Sequence, residues 1–555
     1  MAIYEEKQPQ VRWIVLLIAA VFLVSFPLVQ IGMNELYSTE GEYAAAAREI
    51  TGLSTLVTVH GTLPETVFPL YPALVRLLLN CGLPLEFSLR FMSLLPLALT
   101  ALLTGLICGR AADRQAGAAA AVIVLTPVLA GSKAPEGYPQ MLSALIVYSG
   151  WMLWFYLGFV RSHWNAAWLS VGLFGGLAFY SNGLTAVIYF LVPLAFQQRP
   201  FTIWSKLRKP GLPAAILLAA VFFFAWLTPI QNWLASNPGL PREASSFHIL
   251  TYFKDIAIRP FDAAIRFFPW TLMLWAPFCP ALIAIERNPL LIKYHRILFV
   301  VLGLLIWFNP MTKARDFFYL LPVVAVPAAC NYWILVRRYA GKFFGLFMIL
   351  SLLALAACAA AAAYLVLPQD VFSKFAFGIE LPPEKPAVTV LMTVEVVLSF
   401  AAAVAAVLLI RMRRPVWMTY LFVFASFMLL FWSVINTVRS MDRSKEDFAS
   451  GILAALSEKD AAPDSGSVPA ALYKDPAIMG LYSEGCYIGI PIRTVSNDRI
   501  PANVDPAFVL TTDVPSHYTR TWTRLYDCEY RHEHLYIYKG VLKKELSDDD
   551  EYDYE

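Results

Sequence analysis

The sequence is 555 residues long, 58% apolar and only 15% charged, with a mean hydropathy of +0.59 and a formal net charge of +3. Soluble chains carry about 25% charged residues, so this composition excludes a set of ordinary water-soluble domains. So small a net charge gives no basis for binding nucleic acid, and there is no CxxC pair, HExxH, Walker loop or GxGxxG.

The first apolar run, Val11 to Ile31, is too long for the core of a signal peptide and no small-residue cleavage site follows it, so it reads as a retained anchor. The chain then enters an outer loop over 32–87. Here Ser38-Thr39-Glu40-Gly41-Glu42-Tyr43 precedes four alanines, and Thr39 with Glu42 fits a capping box, so the spacing predicts a helix stopped near Gly52. Glu40 falls in its first turn, where the dipole favours an ionised carboxylate. Such a group either complements the helix start or takes a proton from a substrate. His60 and Glu65 follow in the same loop, and Val67 to Leu79, with Pro69 and Pro72, reads as an interfacial segment.

About thirteen candidate spans are expected, at 11–31, 88–107, 117–132, 140–160, 166–180, 183–197, 211–229, 269–286, 297–309, 317–335, 343–366, 388–410 and 416–436. Lys and Arg collect in one alternating set of short loops, which places the N-terminus in the cytoplasm and, with an odd count, the C-terminus outside. The outer set includes the loop 230–268, which holds Arg259 and Arg266, and the segment with Lys313, Arg315 and Asp316. Charges beside apolar spans need a partner or a function, although headgroup contact and snorkelling would also account for these.

The region beyond 436 changes composition. It predicts a helix after Ser444 and strands at Ala470–Tyr473, Cys486–Ile490, Phe508–Thr511 and Leu535–Tyr538, making a small α/β domain over 437–545, then an acidic tail over 546–555. Cys486 and Cys528 are its only cysteines, either bonded or two free thiols. The carboxylates form no spaced ligand set, so the sequence shows no metal site, and it assigns no cofactor.

One chemistry would use these groups together. Moving a sugar from a lipid phosphate needs a base on the acceptor and cations on the leaving phosphate, with no general acid. The sequence resembles a family that does this: the multi-span glycosyltransferases of the GT-C fold, specifically bacterial relatives of protein O-mannosyltransferases and of the aminoarabinose transferase that modifies lipid A. The resemblance rests on "STEGEYAAAAREI", "HGTLPETVFPLYPAL", "SLRFMSLLPLAL", "FFPWTLML" and "FNPMTKARDFFYLLPVVAVP", in the family's order over about 320 residues. Against the family pattern, the leading acid falls on Thr39, a lysine on Thr66, an aspartate on Gln140 and a second lysine on Asn182.

The resemblance implies a mainly α, polytopic membrane protein over 1–436, with an extracytoplasmic α/β domain. It implies an inverting transferase of the inner membrane, using a polyprenyl-phosphate sugar as co-substrate and a lipid, glycan or protein acceptor. Glu40 and Glu65 would be the catalytic carboxylates, Glu40 as general base and Glu65 holding the acceptor or donor sugar, with Glu42, His60, Arg259, Arg266, Lys313 and Arg315 binding substrate. A transporter or flippase and a non-catalytic scaffold are the alternatives.

Overall fold

Apolar runs fold as helices because no water in a bilayer satisfies the main chain, so its amides must bond within each segment. The structure, a computed structural model, describes residues 11–543 except 38, 51–55, 65, 201, 237–248, 275, 284, 369–385, 460–470, 477, 479, 496–499, 501–503, 516–519 and 532. In chain order its helices begin with α1 (Val11–Ser25), α2 (Leu28–Ile31), α3 (Glu40–Glu49), α4 (Leu70–Asn80), α5 (Leu85–Ala111), α6 (Arg114–Leu125) and α7 (Val128–Lys133). There follow α8 (Gln140–Phe155), α9 (Trp164–Ala195), α10 (Gly211–Ser236), α11 (Ile249–Arg266), α12 (Thr271–Leu274), α13 (Pro280–Ile283) and α14 (Pro289–Phe308). The last are α15 (Leu320–Cys330), α16 (Tyr332–Val366), α17 (Val390–Arg411), α18 (Val416–Leu430), α19 (Thr437–Ser440), α20 (Ser444–Lys459) and α21 (Tyr482–Ile488).

The chain is a multi-pass membrane protein. Nine helical segments among the described residues are long and apolar enough to cross a bilayer. The expected thirteen differ from these at identifiable breaks. The segments 166–180 and 183–197 form the one element α9, interrupted at Asn182 and Gly183, where a φ of +63° suits the glycine. The segment 117–132 divides into α6 and α7 at Pro127. The segment 269–286, with Pro269, Pro277 and Pro280, is a series of short turns of helix. The segment 317–335 starts in a 3₁₀ turn, Ala314–Tyr319, and α15 ends at Cys330.

The chain forms two compact units. The first comprises 1–34, 77–227 and 246–442. In it α5 and α6 cross at glycines: a Cβ on Gly117 would stand 2.8 Å from the Gly105 carbonyl oxygen, so only small residues permit this approach. Polar side chains tie α1 and α2 into the bundle. Trp432 donates to the Ser25 carbonyl at 2.9 Å, Gln30 to Glu395 at 2.7 Å, and Asn34 to Asn436 at 2.5 Å. Arg90 is buried and donates to the carbonyls of Ile31 and Asn34. These bonds satisfy groups that hydrocarbon could not.

The second unit comprises 35–76, 228–245 and 443–555. Its five strands are β1 (Leu472–Lys474), β2 (Ile492–Thr494), β3 (Ala507–Thr511), β4 (Arg520–Tyr530) and β5 (Glu533–Leu542), in the order β2-β1-β3-β5-β4. β1 runs parallel to β2 and β3, while β5 pairs antiparallel with β3 and β4. Apolar side chains of α20, including Ile452 and Leu456, pack with Leu472, Phe508, Leu510, Leu535 and Ile537 in its core. The strand expected at Cys486–Ile490 is corrected. Residues 482–488 are helix α21, entered through Gly480 and Leu481 at positive φ and closed by Gly489 at φ +74°. None of the seven cysteines is in a disulfide; Cys486 turns to the Gly41 carbonyl and Cys528 to that of Leu535. The acidic tail lies outside the described residues.

Candidate active site

Helix α3 begins where the spacing predicts, at Glu40, but the capping box does not form: the Thr39 side chain makes no cap hydrogen bond. The Tyr37 N–H donates instead to Glu40 Oε2 at 3.0 Å, and Thr66 Oγ donates to Glu42 Oε1 and Oε2 at 3.0 and 3.1 Å. The helix ends at Ile50 in extended conformation; Gly52 and the candidate acid Glu65 lie outside the described residues. Glu40 is 0% exposed, whereas Glu42 is half-buried.

The enclosure of α3 comes from α21. Ser483 Oγ donates to the Tyr37 carbonyl at 3.0 Å, the Arg48 guanidinium to the Cys486 carbonyl at 2.5 Å, and the Leu36 N–H to the Tyr487 hydroxyl at 2.8 Å. Gly41 faces Ser483 so closely that a Cβ there would land on the Ser483 backbone.

His60 occupies a tight turn at φ +51°, bounded by a bridge between Val59 and Thr62. Its main chain is held from two sides: Glu49 accepts from the His60 N–H at 2.6 Å, and Thr494 donates to the His60 carbonyl at 2.7 Å. The ring is buried beside Gly485 and Tyr482. Burial, and then the charge of Lys474, lower its pKa to about 3, so the imidazole is neutral. Glu49 also accepts from Thr58 Oγ at 2.7 Å; burial pushes its carboxyl up, against the pull of these hydrogen bonds. The sequence assigns Glu49 no role, yet an acid in the last turn opposes the helix dipole, which signals another role.

The cationic residues belong to the first unit, and the structure gives them unequal parts. Arg259, on α11, is buried and caps the end of α14, donating to the carbonyls of Trp307 at 2.8 Å, Asn309 at 2.6 Å and Pro310 at 3.4 Å. Arg266 pairs with Asp262 at 2.6 Å. Arg315 lies over the Tyr138 ring, 3.1 Å from its centroid, and gives Nε and Nη2 to Glu136 at 3.1 and 2.8 Å. Glu136 holds Lys133 with its other oxygen at 2.7 Å. Arg315 Nη1 makes no hydrogen bond, and the exposed Lys313 ammonium no ion pair, among the described residues. Lys133, Glu136 and Tyr138 were not picked out from the sequence, where a lone acid in a loop carries no signal.

Asp316 accepts from the Lys313 N–H at 2.9 Å and starts the 3₁₀ turn. Burial raises its carboxyl to about 6, against the Lys313 hydrogen bond and the charges of Lys313, Arg315 and Arg259. With the folded-state pKa above the ordinary 3.8, the folded chain binds this proton more tightly than the unfolded one. The resulting stability is full below the unfolded value and lost as pH rises through about 6. Asp316→Asn should flatten the stability profile in that window, removing a slope worth on the order of 2–3 kcal/mol. Chemical denaturation of the purified protein at stepped pH measures this, and parallel profiles for the two proteins refute it.

An open cleft of about 660 Å³ lies between the second half of α9 and α14. Ile188, Val192, Val300 and Leu304 give it apolar walls, and its polar lining includes Tyr189 and Asn309, joined by a 2.9 Å hydrogen bond. Lys313 follows Asn309 by four residues.

No protein-family model matches the sequence, and no curated protein matches it in sequence. Among solved structures, ArnT from Cupriavidus metallidurans bound to undecaprenyl phosphate superposes with a TM-score of 0.62 at 16% identity, over 96% of this chain and 98% of that one. ArnT in the apo state gives 0.60 at 16% identity, over 95% and 98%. An oligosaccharyltransferase from Archaeoglobus fulgidus aligns over 87% of this chain and 63% of its own, at 11% identity and a TM-score of 0.40 that supports no argument. The chain has the GT-C fold of ArnT, as the five motifs imply.

Proposed function

We propose that the protein is an inverting glycosyltransferase of the cytoplasmic membrane, moving a sugar from a polyprenyl-phosphate donor to a lipid, glycan or protein acceptor on the outer face. The observation that carries this is the cleft of α9 and α14, apolar along its walls, with Tyr189 and Asn309 in its lining and, four and six residues further along the chain, the exposed Lys313 and an Arg315 that keeps Nη1 outside its Glu136 pair. An isoprenoid phosphate has the same arrangement, a long apolar tail and an anionic head. ArnT, which shares the fold, holds undecaprenyl phosphate.

In this reading Lys313 and Arg315 Nη1 take the charge that builds on the phosphate as its bond to the sugar breaks. Arg259 fixes the chain end from which Lys313 extends. Glu40 removes the proton of the acceptor, with Glu65, Glu42 and His60 on the acceptor and sugar side. Phosphate leaves without a general acid, so one carboxylate suffices. Purified protein given a radiolabelled polyprenyl-phosphate sugar and a membrane extract as acceptor source should release free polyprenyl phosphate in step with label transfer. Intact donor moved across vesicles would identify a flippase, and an unchanged donor a scaffold.

A further inference from the structure

Helix α11 carries Lys254, Asp255, Arg259, Asp262 and Arg266 in 18 residues and is not among the nine long apolar helices. Its polar and apolar residues are nevertheless turned the wrong way for water. At about 100° per residue, Phe253, Ala257, Ile258, Phe261 and Ile265 share one arc. That arc faces outward: Phe253 is 61% exposed, Ile258 50%, Phe261 73% and Ile265 65%. Arg259, Asp262 and Arg266 occupy the opposite arc, with Arg259 buried and the Asp262–Arg266 pair partly so. Lys254 is the one charge on the outward arc, and its long stem lets the ammonium reach headgroups.

We infer that α11 is an interfacial helix whose outward arc is embedded in the membrane surface. The attachment of α11 fixes its depth. Tyr252 donates to the Phe308 carbonyl at 2.9 Å, Arg259 holds the carbonyls of 307, 309 and 310, and Trp307 Nε1 donates to the Ile256 carbonyl at 2.8 Å. That last carbonyl is the one Pro260, lacking an N–H, leaves open. All these bonds lie at the C-terminal end of α14, which is long and apolar enough to cross the bilayer, so α11 sits at the level where that helix leaves it. The exposed side chains of Leu304, Phe308 and Met311 continue the apolar surface from α14 to α11. A protein partner is disfavoured by area: a stable contact buries about 800 Å² per side, more than one strip of a helix offers.

The inference is independent of any catalytic reading. Its test uses the full chain with Cys81, Cys279 and Cys528 changed to serine, reconstituted in phosphatidylcholine vesicles. A bimane label goes on Phe261→Cys or, as a second site, Ile265→Cys; Val514→Cys, 70% exposed in the strand domain, is the aqueous control. Acyl-chain-brominated phosphatidylcholine should remove most of the emission at 261 and 265 while aqueous iodide leaves it, with the reverse at 514. Iodide quenching at 261 and 265 would overturn the inference in favour of a water-exposed helix. Protection from both quenchers would overturn it in favour of a protein contact, including a second copy of the chain.

Discussion

Glu40→Gln is expected to lower sugar transfer by about two orders of magnitude or more and to leave the protein folded, the usual range for removing a general base. The substitution keeps size and an acceptor oxygen, so the Tyr37 N–H that reaches Glu40 Oε2 at 3.0 Å retains a partner. Loss of the charge from the first turn costs only about 0.3–1 kcal/mol of dipole stabilisation. A large fall in rate with an unchanged unfolding transition therefore assigns chemistry to this carboxylate. The adjacent Glu42→Gln is the informative partner, because Glu42 is half-buried on Thr66 while Glu40 is enclosed. A wild-type rate in Glu40→Gln makes Glu40 a helix-start acid and passes the role to Glu42 or Glu65.

Neutralising the two candidate phosphate cations should have the next largest effect. A hydrogen bond to a charged group contributes about 1.5–3 kcal/mol, so Lys313→Met should weaken donor binding roughly 10- to 100-fold. Acceptor binding should not change, since the cation meets only the phosphate. Arg315→Met should do more than that. It frees Glu136 from Nε and Nη2, leaving a half-buried carboxylate to Lys133 alone, and it uncovers the Tyr138 ring. Lys313→Met should thus change the donor KM with little effect on unfolding, and Arg315→Met should change both. Equal weakening of donor and acceptor, or none, would mean that Lys313 merely extends toward headgroups.

The sequence disclosed what depends on neighbours in the chain. The start of α3, the apolar helices and the break beside Gly183 follow from local spacing and backbone preference. It did not disclose what depends on which distant segment arrives. Thr66, 24 residues away, takes Glu42 from the expected capping box. Cys486-Tyr487-Ile488 has strand-like composition, yet it is helical, set between a left-handed turn and a closing glycine and packed on α3. Arg259 reads as a charge in need of a partner, but only the fold shows that the partner is the end of another helix. Glu136 is silent in the sequence because Arg315 is 179 residues away.

The docking of α21 on α3 also orders events during synthesis. Tyr37 and Ser483, joined by a hydrogen bond, are 446 residues apart. At roughly 5–20 residues per second, α3 leaves the ribosome about 20–90 s before the helix that covers it. Throughout that interval the face of Gly41, which has no room for even a methyl group in the finished protein, waits uncovered. The loop that carries α3 is thus completed long after it is made, and the candidate base Glu40 gains its enclosure only once α21 has emerged.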